Sequence, residues 1–232
     1  MSDRPNSDET AAPVHPEESD FVPLRERYGL ILALILAAYV VTGVDQTPLV
    51  ALLNSLIWAV VLLAALWSPG LPSTLRRVGL GATLILFVSA ITLGWFDSET
   101  AEGWRALVLA TAQLAALLAI LSRVLRHRTV RLQTVMGGVA AYALLAFVMA
   151  AVYFGFDRLT ASEFLSGITN QGDYTYFSFV VMTTVGFGDI TPVSDLAKRL
   201  VVIEAFVGQV FIVTFVARLV SLWGQPLRVG RE

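Results

Sequence analysis

Six long apolar stretches constrain this chain more than any other feature: Tyr28–Val44, Thr47–Trp67, Val78–Trp95, Ala106–Arg123, Leu132–Phe156 and Ala197–Trp223. A hydrocarbon core of ~30 Å needs about 20 helical residues to cross it, and each run is near that length. Inside a bilayer every backbone N–H and C=O must be satisfied within the protein, so such runs can only be helices. Composition agrees: 56% of the 232 residues are hydrophobic and 15% are charged, where soluble domains carry ~25% charged residues. A formal charge of −2 offers no basic surface for nucleic acid. With no cysteine there are no disulfides, thiolate zinc sites or thiol nucleophiles. His15 and His127 are the only histidines, and neither a metal-ligand cluster nor a Gly-x-Ser-x-Gly motif is present. An enzyme is not expected, and no cofactor is implied. The expected fold is an all-α integral membrane protein with six transmembrane helices.

The arginines set an orientation. Arg25, Arg27, Arg76, Arg77, Arg123, Arg126, Arg128, Arg131, Arg218, Arg228 and Arg231 all fall on one side of a six-span chain. The other side holds Asp45, Asp97, Glu99, Glu102, Asp157, Glu163, Asp173, Asp189 and Asp195, against only Arg105, Arg158, Lys198 and Arg199. The positive-inside rule then places both termini in the cytoplasm of a cell whose plasma membrane holds the protein. Residues 1–24, rich in Pro, Ser, Asp and Glu, are expected to be a disordered acidic tail. Their acidic opening does not read as a signal peptide.

A seventh apolar stretch, Tyr174–Met182, is too short to span. Asp173 stands where it can cap a short helix over these residues. Gly186 and Gly188 follow at alternate positions and take φ > 0 at no steric cost. A strand that alternates ordinary and inverted backbone points successive carbonyls the same way. Non-helical backbone at membrane depth survives only where protein buries it or where it lines a watery cavity. A helix that enters, stops and returns as a Gly-rich strand is therefore expected to be a re-entrant loop beside a pore.

The run Thr183-Thr184-Val185-Gly186-Phe187-Gly188-Asp189 resembles the selectivity filter of the potassium-channel superfamily in its Gly-Phe-Gly variant. The resemblance covers roughly Leu132 to Trp223, and it is to the prokaryotic type with six transmembrane helices. It implies a re-entrant pore helix and a filter strand in each subunit, with potassium held by backbone carbonyls of Thr184, Val185, Gly186, Phe187 and Gly188 and by the Thr184 hydroxyl. One chain supplies one filter strand where the geometry needs four, so the resemblance implies a homotetrameric pore. Thr183, Tyr176 and Asp189 are implied as filter support, with Tyr176 donating to Asp189. Val180 stands where some bacterial relatives carry Glu, so no Glu–Asp pair can form behind this filter. Gly208 resembles the hinge glycine of the family, and a small residue for tight helix packing is the other reading.

Other residues stand out on physical grounds. Gln209, Ile212, Val216 and Val220 follow 3–4 spacing, as the cavity face of the last helix would, and an apolar ring at Val216 or Val220 can gate by dewetting. Glu204 is ionisable at membrane depth, a functional candidate by that fact alone and a further filter-support candidate. The fourth run has no charged residue between Arg105 and Arg123, so voltage sensing is not expected. Arg77, Arg123, Arg126, Arg128 and Arg131 are candidates for anionic lipid. The chain divides accordingly: the tail to residue 24, a four-helix membrane domain over 25–128 without voltage-sensing charges, a pore domain over 129–224, and a short cytoplasmic tail over 225–232. The function expected is a potassium-selective, voltage-insensitive channel. Its alternatives are a weakly selective cation channel and a non-conducting accessory subunit.

Overall fold

The computed structural model describes residues 28–44, 47–66, 72–91, 98–126 and 132–223. The tails at 1–24 and 225–232, with Arg25, Arg27, Asp45, Asp97, His127, Arg128, Arg131, Arg228 and Arg231, lie outside the described residues. Within them run helices α1 (Tyr28–Thr42), α2 (Pro48–Leu66), α3 (Ser73–Ile91), α4 (Glu99–Val124) and α5 (Leu132–Leu159). Then come strand β1 (Leu165–Ser166), helix α6 (Gly172–Met182), strand β2 (Thr191–Pro192) and helix α7 (Asp195–Trp223). Helices α4, α5 and the Asp195–Ser221 part of α7 are long and apolar enough to cross a membrane, while Tyr28–Thr42 and Leu52–Leu66 are shorter apolar helices.

Two helix starts differ from the pattern of apolar residues. α4 opens at Glu99 rather than Ala106, because Ser98 caps it by accepting from the Ala101 amide at 3.2 Å. Glu99 and Glu102 then sit in the first turn, where the exposed amides favour negative charge. α3 opens at Ser73, so Arg76 and Arg77 lie inside a helix and not in the preceding loop; the Arg76 amide already donates to the Pro72 carbonyl at 3.1 Å.

Packing runs through two apolar clusters. One joins α1, α2, α4 and α5 through residues such as Ile35, Leu62, Ile120 and Leu144. The other joins α5, α6 and the start of α7 through Tyr153, Phe164, Tyr174, Phe177, Ile190 and Ala197. Between α4 and α5, Gly103 and Gly155 abut so closely that a methyl on Gly103 would lie 2.9 Å from the Gly155 carbonyl oxygen. Small residues at such seams let helices gain van der Waals contact that lipid cannot supply. At the same end Arg158 reaches Glu99 at 3.6 Å and Glu102 at 3.5 Å.

α7 has two unlike faces. Glu204 and Gly208 are buried, with Phe211 and Phe215 half-buried below them, while Val202, Ile203, Phe206, Val210, Val213, Val216 and Val220 are exposed. The covered face is anchored where Phe215 lies on Gly138 of α5, and a methyl at Gly138 would overlap the Phe215 ring. Gly138→Ala should therefore push α7 off α5 and destabilise the protein by about 1–3 kcal/mol, the usual cost of overpacking. Thermal unfolding in detergent checks it against Gly81→Ala, whose methyl meets nothing within 4 Å and should leave the midpoint unchanged or slightly raised.

Candidate functional site

The site is built from the loop between α5 and α7. Its entry is braced at α6, though not as a simple cap: the N-cap is Gln171, and Asp173 lies inside the first turn. From there the Asp173 carboxylate reaches backwards, accepting from the Thr169 amide at 2.6 Å, the Asn170 amide at 3.0 Å and both their side chains. The helix starts before Tyr174, so this acid ties down the approach to α6 instead of its free amides.

The flanks of α6 are aromatic. Phe179 meets Tyr39 of α1 and Phe147 of α5 edge-on, with centroids 5.3 and 5.7 Å away. Phe177 meets Tyr153 at 5.4 Å. Tyr174 packs on Phe154 and donates to Asp157. At the far end Tyr142 of α5 donates to the Met182 carbonyl at 2.7 Å, satisfying one of the carbonyls every helix leaves free at its C-terminus.

The strand after α6 hangs from those last carbonyls. The Thr184 amide donates to Val181 at 3.0 Å, and the Val185 and Gly186 amides donate to Val180 at 3.0 and 3.4 Å. The backbone then inverts at every second residue, with φ of 61° at Thr184, 56° at Gly186 and 79° at Gly188. Glycine accepts this freely, but a β-branched residue in the left-handed region carries strain of about 1–3 kcal/mol. Thr184 is held there by its own amide and by the next two, all bonded into the end of α6. Among the described residues no donor bonds the carbonyls of Thr184, Val185, Gly186 or Phe187, and the Thr184 hydroxyl has no partner. The side chains of Val185 and Phe187 are exposed. The result is a short ladder of backbone oxygens with free lone pairs, an arrangement suited to a bare cation.

The exit of the ladder is fixed from behind. Tyr176 donates to Asp189 Oδ2 at 2.7 Å, and Oδ1 accepts from the Ile190 amide at 3.0 Å. The Tyr176 ring lies parallel to Phe187 at 6.5 Å. β1 pairs antiparallel with β2, Leu165 opposite Pro192 and Ser166 opposite Thr191, and the Val193 amide donates to the Phe164 carbonyl at 3.1 Å. Thr183 is less involved, its hydroxyl turned back to the Phe179 carbonyl at 2.7 Å.

On α7, Glu204 comes to α6. Tyr153 donates to its Oε2 at 2.5 Å, and the Ser178 hydroxyl meets both its Oε1 and, at 2.7 Å, the Ala146 carbonyl. Tyr153 and Ser178 carry no signal in the sequence; only the requirement that a buried acid have partners could have called for them. Gly208 lies one turn on, where an added methyl would sit 3.4 Å from Met182 Cε and 3.6 Å from the Met182 carbonyl oxygen. That is ordinary contact, and α7 runs through Gly208 without a break. Gln209, Ile212, Val216 and Val220 are exposed, outside the covered stripe of the helix. No group of His, Asp or Glu among the described residues is arranged to hold a metal ion.

Comparison with known proteins agrees with this geometry. Residues 138–224 match the family described as "Ion channel", a span that takes in most of α5, the loop and α7. Over 78 residues the chain is 37% identical to the two pore potassium channel b of rice, Oryza sativa subsp. japonica. That stretch is 34% of this chain and 21% of the rice protein, so the chain spans about a fifth of that relative's length. No solved structure matches. Both likenesses are to channels: residues 138–224 are similar to an ion-channel family, and a 78-residue stretch is similar to part of a potassium channel.

Proposed function

We propose that four copies of this chain surround one axis and conduct potassium passively through the ladder at Thr184, Val185, Gly186, Phe187 and Gly188. The observation that carries this reading is the backbone inverted at every second residue with its carbonyls unpartnered. A potassium ion entering such cages trades water oxygens for carbonyl oxygens, and neighbouring ions keep one another from binding too tightly to leave. The C-terminus of α6 adds partial negative charge where the cation passes. A single strand surrounds nothing, and the exposed Val185, Phe187 and outer face of α7 are apolar surface that neighbouring subunits would cover. These support a homotetramer over a lone chain.

The remaining residues take roles around that ladder. The Thr184 hydroxyl closes its inner end. Thr183, Tyr176, Asp189 and Glu204 support it from behind. Gly208 serves as the flexible point of α7, and Ile212, Val216 and Val220 form the apolar constriction below. In this reading α1, α2 and α3 also cross the plasma membrane, completing a four-helix domain over 25–128 beside a pore domain over 129–224, with both termini cytoplasmic. Arg77 and Arg126 are exposed, and with Arg123, Arg128 and Arg131 they are the basic side chains offered to anionic headgroups.

Three outcomes test this. Gly186→Ala introduces an L side chain at φ 56°, where no atom beyond its two chain neighbours lies within 4 Å of the added methyl. The variant should assemble with the same size as the wild type yet lose rubidium uptake in liposomes; unchanged uptake would remove the ladder from the ion path. Tyr176→Phe keeps the ring and deletes the bond to Asp189, so single-channel records should show shorter openings at unchanged expression. A voltage sensor gains ~2.3 kcal/mol per charge per 100 mV, and α4 carries no charge between Arg105 and Arg123. Open probability should therefore stay flat from about −100 to +100 mV, a range in which even one such charge would shift it visibly.

A further inference from the structure

Glu204 is 1% exposed and sits in a cluster of oxygen contacts that outnumber the hydrogens present when its carboxylate is ionised. Three contacts meet there: Tyr153 Oη with Oε2, Ser178 Oγ with Oε1, and Ser178 Oγ with the Ala146 carbonyl. A hydroxyl carries one hydrogen, and a carbonyl or an ionised carboxylate carries none. With Glu204 ionised, two hydrogens would serve three contacts, and Ser178 Oγ would face one acceptor with nothing between. With a proton on Oε1, Glu204 donates to Ser178, Ser178 donates to Ala146, and Tyr153 donates to Oε2. Each contact then holds one hydrogen. The groups acting on Glu204 are Tyr153 and Tyr142 from α5 and Ser178 from α6, and no basic side chain among the described residues is one of them. An unpaired carboxylate would be costly in this setting.

We propose that Glu204 is a neutral carboxylic acid whose proton ties α7 to the pore helix through Ser178, making it a positioning residue for the filter. The inference rests on the pore reading given above. Its mechanical basis is the register between the two helices. Glu204 touches Ser178, and one turn further along each helix Gly208 packs against Met182. Between those two contacts lie Val180 and Val181, whose carbonyls hold the amides of Thr184, Val185 and Gly186. A displacement at Ser178 therefore passes within two residues to the anchors of the filter. Loss of the proton would put a negative charge against Ser178 and leave one contact unfilled, so the sign is fixed: raising pH through the titration of Glu204 loosens the filter.

The test compares wild type with Glu204→Gln and Ser178→Ala as full-length protein in lipid. A glutamine amide donates to Ser178 and accepts from Tyr153, as the neutral acid does, and it has no proton to lose. Infrared difference spectra between wild type and Glu204→Gln at neutral pH should show a protonated-carboxyl C=O band belonging to Glu204. In bilayers the potassium-to-sodium permeability ratio of Glu204→Gln should match that of the wild type at neutral pH. As pH rises, the wild-type ratio should fall together with the infrared band while that of Glu204→Gln stays level. Ser178→Ala, which removes the tie whatever the state of Glu204, should lower the ratio at neutral pH to the value that wild type reaches only at high pH, and should leave little further fall as pH rises. Absence of the band at neutral pH overturns the proposal, as does a Glu204→Gln ratio well below wild type or a wild-type ratio that ignores the band. The infrared reading needs no current, so a wild type that passes no potassium would count against the pore reading and leave the protonation result standing.

Discussion

A row of backbone carbonyls that the chain itself does not bond is the constraint on which the rest of the structure turns. Proteins rarely leave such groups unpaired, and in a membrane the cost of doing so is steep. Here every neighbouring element works to keep them so. The amides of Thr184, Val185 and Gly186 are drawn back into the carbonyls of Val180 and Val181, which turns the strand and holds Thr184 in a conformation it would not choose. α6 is in turn fixed by Tyr142 at its end, by Ser178 in its middle and by Phe179 between two other rings. The exit is fixed by Tyr176, Asp189 and the short ladder of β1 with β2.

The helices of this chain were legible because a bilayer leaves an apolar run of this length few other choices. The short helix α6 was legible for the complementary reason, that Tyr174–Met182 cannot span and two glycines free to take φ > 0 follow it. What stayed hidden depends on contacts between distant segments. Nothing about a threonine announces φ of 61° at position 184; that inversion exists because three amides are bonded into α6. The partners of Glu204 lie 26 and 51 residues away along the chain, and no local pattern marks a serine or tyrosine as the partner of a buried acid. Polar helix ends stay hidden for a simpler cause. Apolar periodicity stops where side chains become charged, but helices continue through Glu99 and Arg76 because caps and charge–dipole attraction favour them there.

α7 shows how one helix serves two demands. Its Glu204–Phe215 stripe is fitted to α5 and α6, down to the absence of a side chain at Gly138. The opposite face is aliphatic and open. α4 reaches α7 toward its C-terminal end, where the Arg218 guanidinium donates to the Leu125 carbonyl at the C-terminus of α4 at 2.5 Å. A cation at a helix C-terminus is favoured by the helix dipole, so this contact gives α4 a direct hold on the end of α7 remote from Glu204.

The most direct test of the account is the reversal potential of the purified protein in a planar bilayer with potassium on one side and sodium on the other. If the ladder at Thr184–Gly188 replaces the hydration shell of potassium, the current should reverse close to the potassium equilibrium potential. A clear current reversing near zero would contradict the account, because the same backbone oxygens would then be failing to tell one cation from the other.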